Sequence, residues 1–302
     1  MRTLFTLRGV GSALRGAMAA IAVLLTAQPA AAQLNLVGYW NPLITDEDFM
    51  ERVPGPEVGD YAGLPINDAA RRRADTWDAG LLALPEHQCK PHPSTYGFRG
   101  IGILRISEER DPQTERVTKL NTHIVWQAQK REIWMDGREH PSELEPHTWQ
   151  GFSTGRFEGD VLVVRTTHLK AGWIRRNGLP LSDRATMTER FFRHGDLLTH
   201  VVMIEDPVYL TESLVKTNGF ALLPNGSVEP YPCRPAVEIP FEAGHVPHHP
   251  LDAPSPTTEY AATHGLPVEA ASGGAETALP EYMQKLPVLP KGTHKPRGGF
   301  VF

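Results

Sequence analysis

Short runs of alternating apolar and polar residues fill the middle of the chain and predict β-strands. The turns Glu158-Gly159-Asp160 and His194-Gly195-Asp196 each join two such runs, as is typical of β-hairpins. The predicted strands are Ile101–Ile106, Asn121–Gln127, Arg131–Met135, Phe152–Phe157, Val161–Thr167, Ala185–Arg193, Leu197–Glu205 and Val208–Lys216. Because about eight short strands follow one another without intervening helices, the pattern favours an antiparallel meander.

Closing this meander into a barrel would remove the unpaired edges of the sheet. We therefore predict a mainly β fold, an antiparallel lipocalin-like (calycin-like) β-barrel over residues 96–218, with a β-sandwich as the alternative. An eight-stranded barrel has an interior just large enough for one small ligand.

The segments on either side of the predicted barrel lack this alternation. Residues 33–95 are predicted to form an N-terminal extension that wraps the barrel, with a short helix that Asn67 caps and that continues to Trp77. Residues 219–302 are predicted to be a Pro-rich C-terminal extension, since 14 of the 27 prolines lie between Pro224 and Phe302.

Residues 1–32 have the pattern of a cleavable export signal. Three arginines, an apolar run at Ala17–Leu25 and the small residues Ala30–Ala32 precede Gln33. A membrane anchor is the alternative, but the apolar run is short for a span of about 20 residues. The sequence thus predicts a periplasmic or secreted protein.

The charge balance limits the classes of partner. The chain has 302 residues with 30 basic and 35 acidic ones, so its formal charge of −5 becomes −8 once the three arginines of the signal are removed. An acidic protein lacks the general attraction for nucleic acid or anionic lipid. We expect a small-molecule ligand or substrate, no nucleic acid and no membrane span after cleavage; the sequence indicates no oligomeric state.

The two cysteines, Cys89 and Cys233, lie far apart in the sequence. In an oxidising compartment they are predicted to form a disulfide. The alternative is a metal site in which Cys89 binds together with His87 and His92, but no second pair of ligands stands nearby. We predict no metal.

Four sequence blocks together resemble the signature blocks of a large family of exported, mostly uncharacterised bacterial proteins. They are Asp136-Gly137-Arg138-Glu139-His140-Pro141, Gly155–Val164, Glu189–Arg193, and Ile204–Pro207 with Tyr209–Thr211. The resemblance extends from about Val37 to Thr217 and supports the export and fold predictions. It implies no reaction.

The sequence contains none of the established catalytic motifs of serine hydrolases, zinc proteases, nucleotide hydrolases or classical dehydrogenases. We therefore expect no cofactor. The strongest candidates for acid/base chemistry are Asp136, Arg138 and His140, which follow a predicted strand at the expected barrel mouth. His123 would be a fourth, if its face of the strand lines the barrel. Each has a structural alternative: a turn with a local ion pair, or an ordinary solvent-facing histidine.

Aromatic and polar residues of the strand region supply candidates for ligand binding. They are Tyr96, Trp126, Trp149, Arg190 and His200. Two function classes follow. The first is an exported acid/base lyase, isomerase or hydrolase that acts on a small apolar or aromatic metabolite. The second is a noncatalytic periplasmic binding or carrier protein for a small hydrophobic ligand.

Overall fold

The computed structural model describes residues 34–43, 57–78, 92–98, 102–125, 129–175, 177–231 and 257–286. The strands are β1 (Gly38–Leu43), β2 (Leu104–Arg110), β3 (Val117–Ile124), β4 (Gln129–Trp134), β5 (Phe152–Glu158), β6 (Val161–Thr167), β7 (Gly172–Trp173), β8 (Pro180–Leu181), β9 (Thr186–His194), β10 (Leu197–Glu205) and β11 (Leu214–Leu222). The helices are α1 (Asp68–Asp75), α2 (Ser94–Gly97), α3 (Thr257–His264), α4 (Val268–Ala271) and α5 (Pro280–Met283), with a 3₁₀ turn at Ala275–Ala278.

Nine of these strands form a closed barrel in the order β1-β11-β10-β9-β6-β5-β4-β3-β2. Strand directions cannot alternate all the way round a ring with an odd number of members. One pair must therefore be parallel, and in this barrel it is β4 with β5. The meander confirms the predicted fold class, mainly β with a lipocalin-like barrel.

Both predicted hairpins are present, with two-residue turns. Glu158 pairs with Val161 across Gly159-Asp160, and His194 pairs with Leu197 across Gly195-Asp196. The predicted helix is also present as α1, whose first turn is capped where the Ala70 N–H donates to Asn67 Oδ1 at 3.0 Å.

The barrel extends beyond the strands that the alternation predicted. Gly38–Leu43, which lies in the predicted N-terminal extension, is β1 and closes the barrel between β11 and β2. The last strand is Leu214–Leu222 rather than Val208–Lys216, because Asp206 accepts hydrogen bonds from the main-chain N–H of Val208 and Tyr209 and holds a turn there.

The inward side chains form three layers. One apolar cluster includes Trp40, Phe191 and Phe220, and a second one includes Met187, Val202 and residues of α1. Buried polar side chains lie on the same inward faces. We call six of them the polar layer: Arg131, Ser153, Thr166, Glu189, His200 and Asn218.

Candidate ligand-binding site

The polar layer is built on an ion pair between β4 and β9, two strands that are not neighbours in the barrel. Arg131 is 3% exposed and Glu189 is 0% exposed. The guanidinium donates to both carboxylate oxygens of Glu189, with Nη1 at 3.0 Å from Oε1. Its remaining donors reach Ser153 Oγ at 2.9 Å and Thr166 Oγ1 at 2.8 Å. A buried charge pair with its hydrogen bonds nearly all satisfied holds the strands in one register.

His200 completes this network from β10. Its Nε2–H donates to Glu189 Oε1 at 3.0 Å, and the Asn218 amide donates to Nδ1 at 3.0 Å. Both ring nitrogens of His200 thereby have a hydrogen-bond partner. Burial alone would raise the pKa of Glu189, but the Arg131 guanidinium and the His200 hydrogen bond hold it well below its usual range. Glu189 is therefore ionised at neutral pH.

Phe98, which follows α2, fills the space beside the polar layer. Its ring lies 4.5 Å from the His200 ring, 5.8 Å from Phe191 and 6.3 Å from Phe220, measured between centroids. The cavity left next to it, lined by described residues including Arg131, has a volume of about 10 Å³. That is room for about one water molecule. Within the described part of the chain, this filled space is not the ligand chamber that the strand count predicted.

Asp136 and Arg138 lie together in the loop after β4. Arg138 Nε is 3.0 Å from both carboxylate oxygens of Asp136, and its guanidinium lies 3.5 Å from the centre of the Trp134 ring. The hydrogen bonds lower the pKa of Asp136. These contacts correspond to the structural alternative, a turn closed by a local ion pair. No described cavity opens beside them, and a catalytic role for the two residues stays a prediction.

His140 is held by two threonines, with Nδ1 at 2.8 Å from Thr167 Oγ1 and Nε2 at 2.9 Å from Thr154 Oγ1. Thr167 Oγ1 is also 2.7 Å from His168 Nδ1, and His168 Nε2–H donates to the Ser142 carbonyl at 2.8 Å. Since that carbonyl can only accept, His168 Nε2 carries a hydrogen, and the hydrogen bonds connect Thr154 to Ser142 through the two rings. Burial, Arg165 and His168 lower the pKa of His140. The chain of bonds fastens the loop to β5 and β6.

His123 and Arg190 lie outside the barrel. On each strand, the neighbouring residues point into the barrel. His123 therefore shares the outer face of β3 with Asn121. Arg190 is exposed on β9, next to the inward Glu189. His123 therefore has the outward placement that the sequence analysis gave as its alternative, and a catalytic role for it stays a prediction. Arg190 and Glu189 point in opposite directions, and a ligand-binding role for Arg190 stays a prediction.

A second cavity, larger than the one beside Phe98, lies outside the barrel between the end of α1 and the small β7–β8 sheet. We call it the aromatic groove; its volume is about 380 Å³. Its lining residues are Arg73, Thr76, Trp77, Trp149, Ala171, Gly172, Trp173, Gly178, Pro180, Leu181 and Tyr209. This volume is within the range of about 300–1,000 Å³ that small-molecule sites occupy.

Two tryptophans form a corner of the groove. The rings of Trp77 and Trp173 meet edge to face, with centroids 5.1 Å apart. Gly178 permits this packing, because a Cβ at its position would lie 2.3 Å from the Trp77 Cβ. The third tryptophan, Trp149, carries the Lys170 ammonium 5.5 Å from its ring centre.

Arg73 adds a positive charge at the rim. Its side chain is exposed and makes no ion pair with any residue that the structure describes. Together with Lys170 it gives an aromatic surface with cationic groups at two points.

The other predicted site residues are divided between described and undescribed parts of the chain. Tyr96 is buried, with its ring centroid 4.7 Å from that of His92. Trp126 and both cysteines of the predicted disulfide, Cys89 and Cys233, lie outside the described residues. Among the described residues, no three side chains of His, Cys, Asp or Glu are placed to hold a metal ion. No helix in those ranges is long and apolar enough to cross a membrane.

Sequence analysis missed Arg131 and Glu189, although alternation was a usable signal. Glu189 stands between Met187 and Phe191 on an otherwise apolar face, and a charge in that position predicts a buried partner. Trp77 and Trp173 were missed as a pair because one lies in the N-terminal extension and the other in a two-residue strand.

No family model and no curated protein matches the chain. Among solved structures, the crystal structure of a mutant of the fluorescent protein UnaG is similar over 62% of this chain and 95% of that chain, with 13% sequence identity and a TM-score of 0.27. The assignment of a closed barrel rests on the strand pairing itself.

Proposed function

We propose that the protein binds a small aromatic or apolar molecule with an acidic group, and that the aromatic groove is the binding site. The observation that supports this most directly is the set of Trp77, Trp149 and Trp173 around one cavity of ligand size. In the same proposal the protein is exported to the periplasm or secreted, and belongs with the exported bacterial proteins that its sequence blocks resemble.

The lining explains the ligand class. Tryptophan rings offer large flat apolar surfaces, and aromatic ligands gain from stacked or edge-to-face contact with them. Arg73 and the Lys170 ammonium, near Trp149, would attract a carboxylate or sulfonate at the rim. A neutral hydrocarbon would use only the tryptophans, so the acidic group adds selectivity.

The same lining favours binding over catalysis. Arg73 and Tyr209 are its only titratable side chains among the described residues, so no carboxylate or imidazole from that part of the chain lines the space. Acid/base lyase, isomerase or hydrolase chemistry needs a group that exchanges protons near neutral pH within reach of the substrate. His123, Asp136, Arg138 and His140 are not among the lining residues. We therefore favour the carrier or binding protein over the enzyme.

Titration with 2-naphthoate tests the site. We expect saturable quenching of tryptophan fluorescence in the wild-type protein, and about tenfold weaker binding for Trp173→Ala because a stacking surface is lost. Arg73→Gln should weaken the binding of 2-naphthoate by about threefold and leave the binding of uncharged 2-naphthol nearly unchanged.

The matched control is Trp134→Phe, which removes a tryptophan that contacts Arg138 and does not line the groove. Its affinity should equal that of the wild type. Equal affinities in Trp173→Ala and Trp134→Phe would contradict the assignment of the groove.

The proposed export has a separate test. Protein isolated from the periplasm or medium of an expressing bacterium is expected to begin at Gln33, which intact-mass measurement detects as the loss of residues 1–32. A chain that stays in the cytoplasm with its first 32 residues attached would contradict this part of the proposal.

A further inference from the structure

Three basic residues form one row across the outer face of β2, β3 and β4. Arg105 is directly opposite His123, and His123 is directly opposite Lys130. Side chains in directly paired positions lie about 4.5–5.5 Å apart at Cβ, and like charges in such pairs are unfavourable. We call these three residues the basic row.

Nearby acids do not neutralise the basic row. The closest carboxylates on this face, Glu109 and Glu132, both bind Lys119, with Oε1 at 3.0 Å and 2.8 Å from Nζ. Neither Arg105 nor Lys130 forms an ion pair with a described residue; Arg105 lies 5.8 Å from the centre of the Tyr39 ring. Arg105 and Lys130 therefore keep their positive charges without a described counter-ion.

The charges of Arg105 and Lys130 affect the pKa of His123, the central residue of the row. Partial burial lowers the pKa of His123, and the charges of Lys130 and Arg105 lower it further. Without a bound anion, the imidazole is mostly neutral at pH 7. An anion placed against the row would remove the repulsion and favour the charged imidazole.

The surface in front of the row is concave. An open groove of about 470 Å³ is lined by the basic row together with Ser107, Asn121 and Glu132 from the next positions along the strands. Ser107 and Asn121 are paired directly across β2 and β3. The Asn121 amide donates one N–H to Glu109 Oε1 at 2.9 Å, and its second N–H and the Ser107 hydroxyl, beside the basic row, match the oxygens of a tetrahedral anion.

We propose that the basic row is a binding site for a phosphate group, separate from the aromatic groove. The net negative charge of the chain argues against a long polyanion, because the rest of the surface would repel it. The ligand is therefore a small phosphate or phosphate monoester, or a single phospholipid headgroup. This proposal does not depend on the function assigned to the aromatic groove.

Histidine NMR with inorganic phosphate tests the proposal. We expect the His123 ring signal, identified by its loss in His123→Gln, to shift saturably and its pKa to rise as phosphate is added at constant ionic strength. Arg105→Gln and Lys130→Gln should each weaken phosphate binding at least fivefold. Arg156→Gln removes the same charge from an exposed ion pair with Glu158 on β5 and should bind like the wild type.

Sedimentation with vesicles separates the two sources of phosphate. Phosphate binding without cosedimentation on phosphatidylglycerol vesicles supports a soluble ligand. A lipid headgroup is supported if the wild-type protein cosediments with phosphatidylglycerol vesicles but not with phosphatidylcholine vesicles, and if Lys130→Gln abolishes this cosedimentation. The proposal would be overturned if phosphate did not shift the His123 signal. It would also be overturned if Arg105→Gln, Lys130→Gln and Arg156→Gln all responded to phosphate alike.

Discussion

Glu189→Gln is expected to lower the free energy of unfolding by about 3–5 kcal/mol, because it leaves the Arg131 charge buried without its counter-ion. Arginine cannot relieve this by losing its proton. The new amide also points an N–H₂ group at a site where Arg131 and His200 both donate. Since the guanidinium is 3% exposed, water cannot replace the lost partner without opening the barrel.

The size of this loss should depend on pH. The folded-state pKa of Glu189 is lowered, so its ionised form stabilises the protein above the pKa of an unfolded glutamate, about 4.3. That stabilisation is lost as the pH falls from there toward the lower folded-state value. The difference between wild type and Glu189→Gln should therefore be largest at pH 7 and become smaller below about pH 4.

Urea denaturation at pH 7, 5 and 3.5 measures both effects. Glu205→Gln is the matched control, because Glu205 is exposed at the end of β10 and, among the described residues, its carboxylate accepts a hydrogen bond only from Thr186, at 3.4 Å. Its stability should stay within about 0.5 kcal/mol of the wild type. A loss below about 1 kcal/mol in Glu189→Gln at pH 7 would show that the ion pair is not buried as described.

The pattern of the sequence was sufficient for the class of fold because alternation is a local property of each strand. It could not predict β1, whose sequence Gly-Tyr-Trp-Asn-Pro-Leu carries the residues of a turn. This segment is a strand because β2 and β11 offer it free edges on both sides. The sequence pattern likewise could not predict that β4 and β5 pair in parallel, because this pairing depends on the path of the loop between the two strands.

The candidate sites were predicted less well, for a related reason. Alternation along β9 and β10 was a usable signal for the inward faces of Glu189 and His200, but their partners Arg131 and Asn218 come from other strands. Trp149 was predicted as a ligand-binding residue, while its neighbours in the groove come from distant segments. A pattern along the chain records which face a residue occupies and not which residues meet across the barrel.

The interior was predicted to hold a ligand, but among the described residues Phe98 fills the space beside the polar layer. Strand number sets the width of a barrel, but the residues that enter from outside decide how much space remains. Phe98 belongs to no barrel strand, and it packs with inward aromatic rings of β9 and β11. Its side chain supplies the volume that the strands leave open.

Phe98→Ala is therefore expected to destabilise the protein by about 3–5 kcal/mol, through lost apolar burial and the cavity that remains. Phe98→Leu keeps most of the volume and should cost less than about 1.5 kcal/mol. Thermal unfolding with added indole or toluene distinguishes a true cavity from general damage. Either compound should raise the melting temperature of Phe98→Ala and leave that of the wild type unchanged, because only the variant has space beside Phe191 and Phe220. If Phe98→Ala is as stable as Phe98→Leu and neither compound affects it, Phe98 does not fill the barrel.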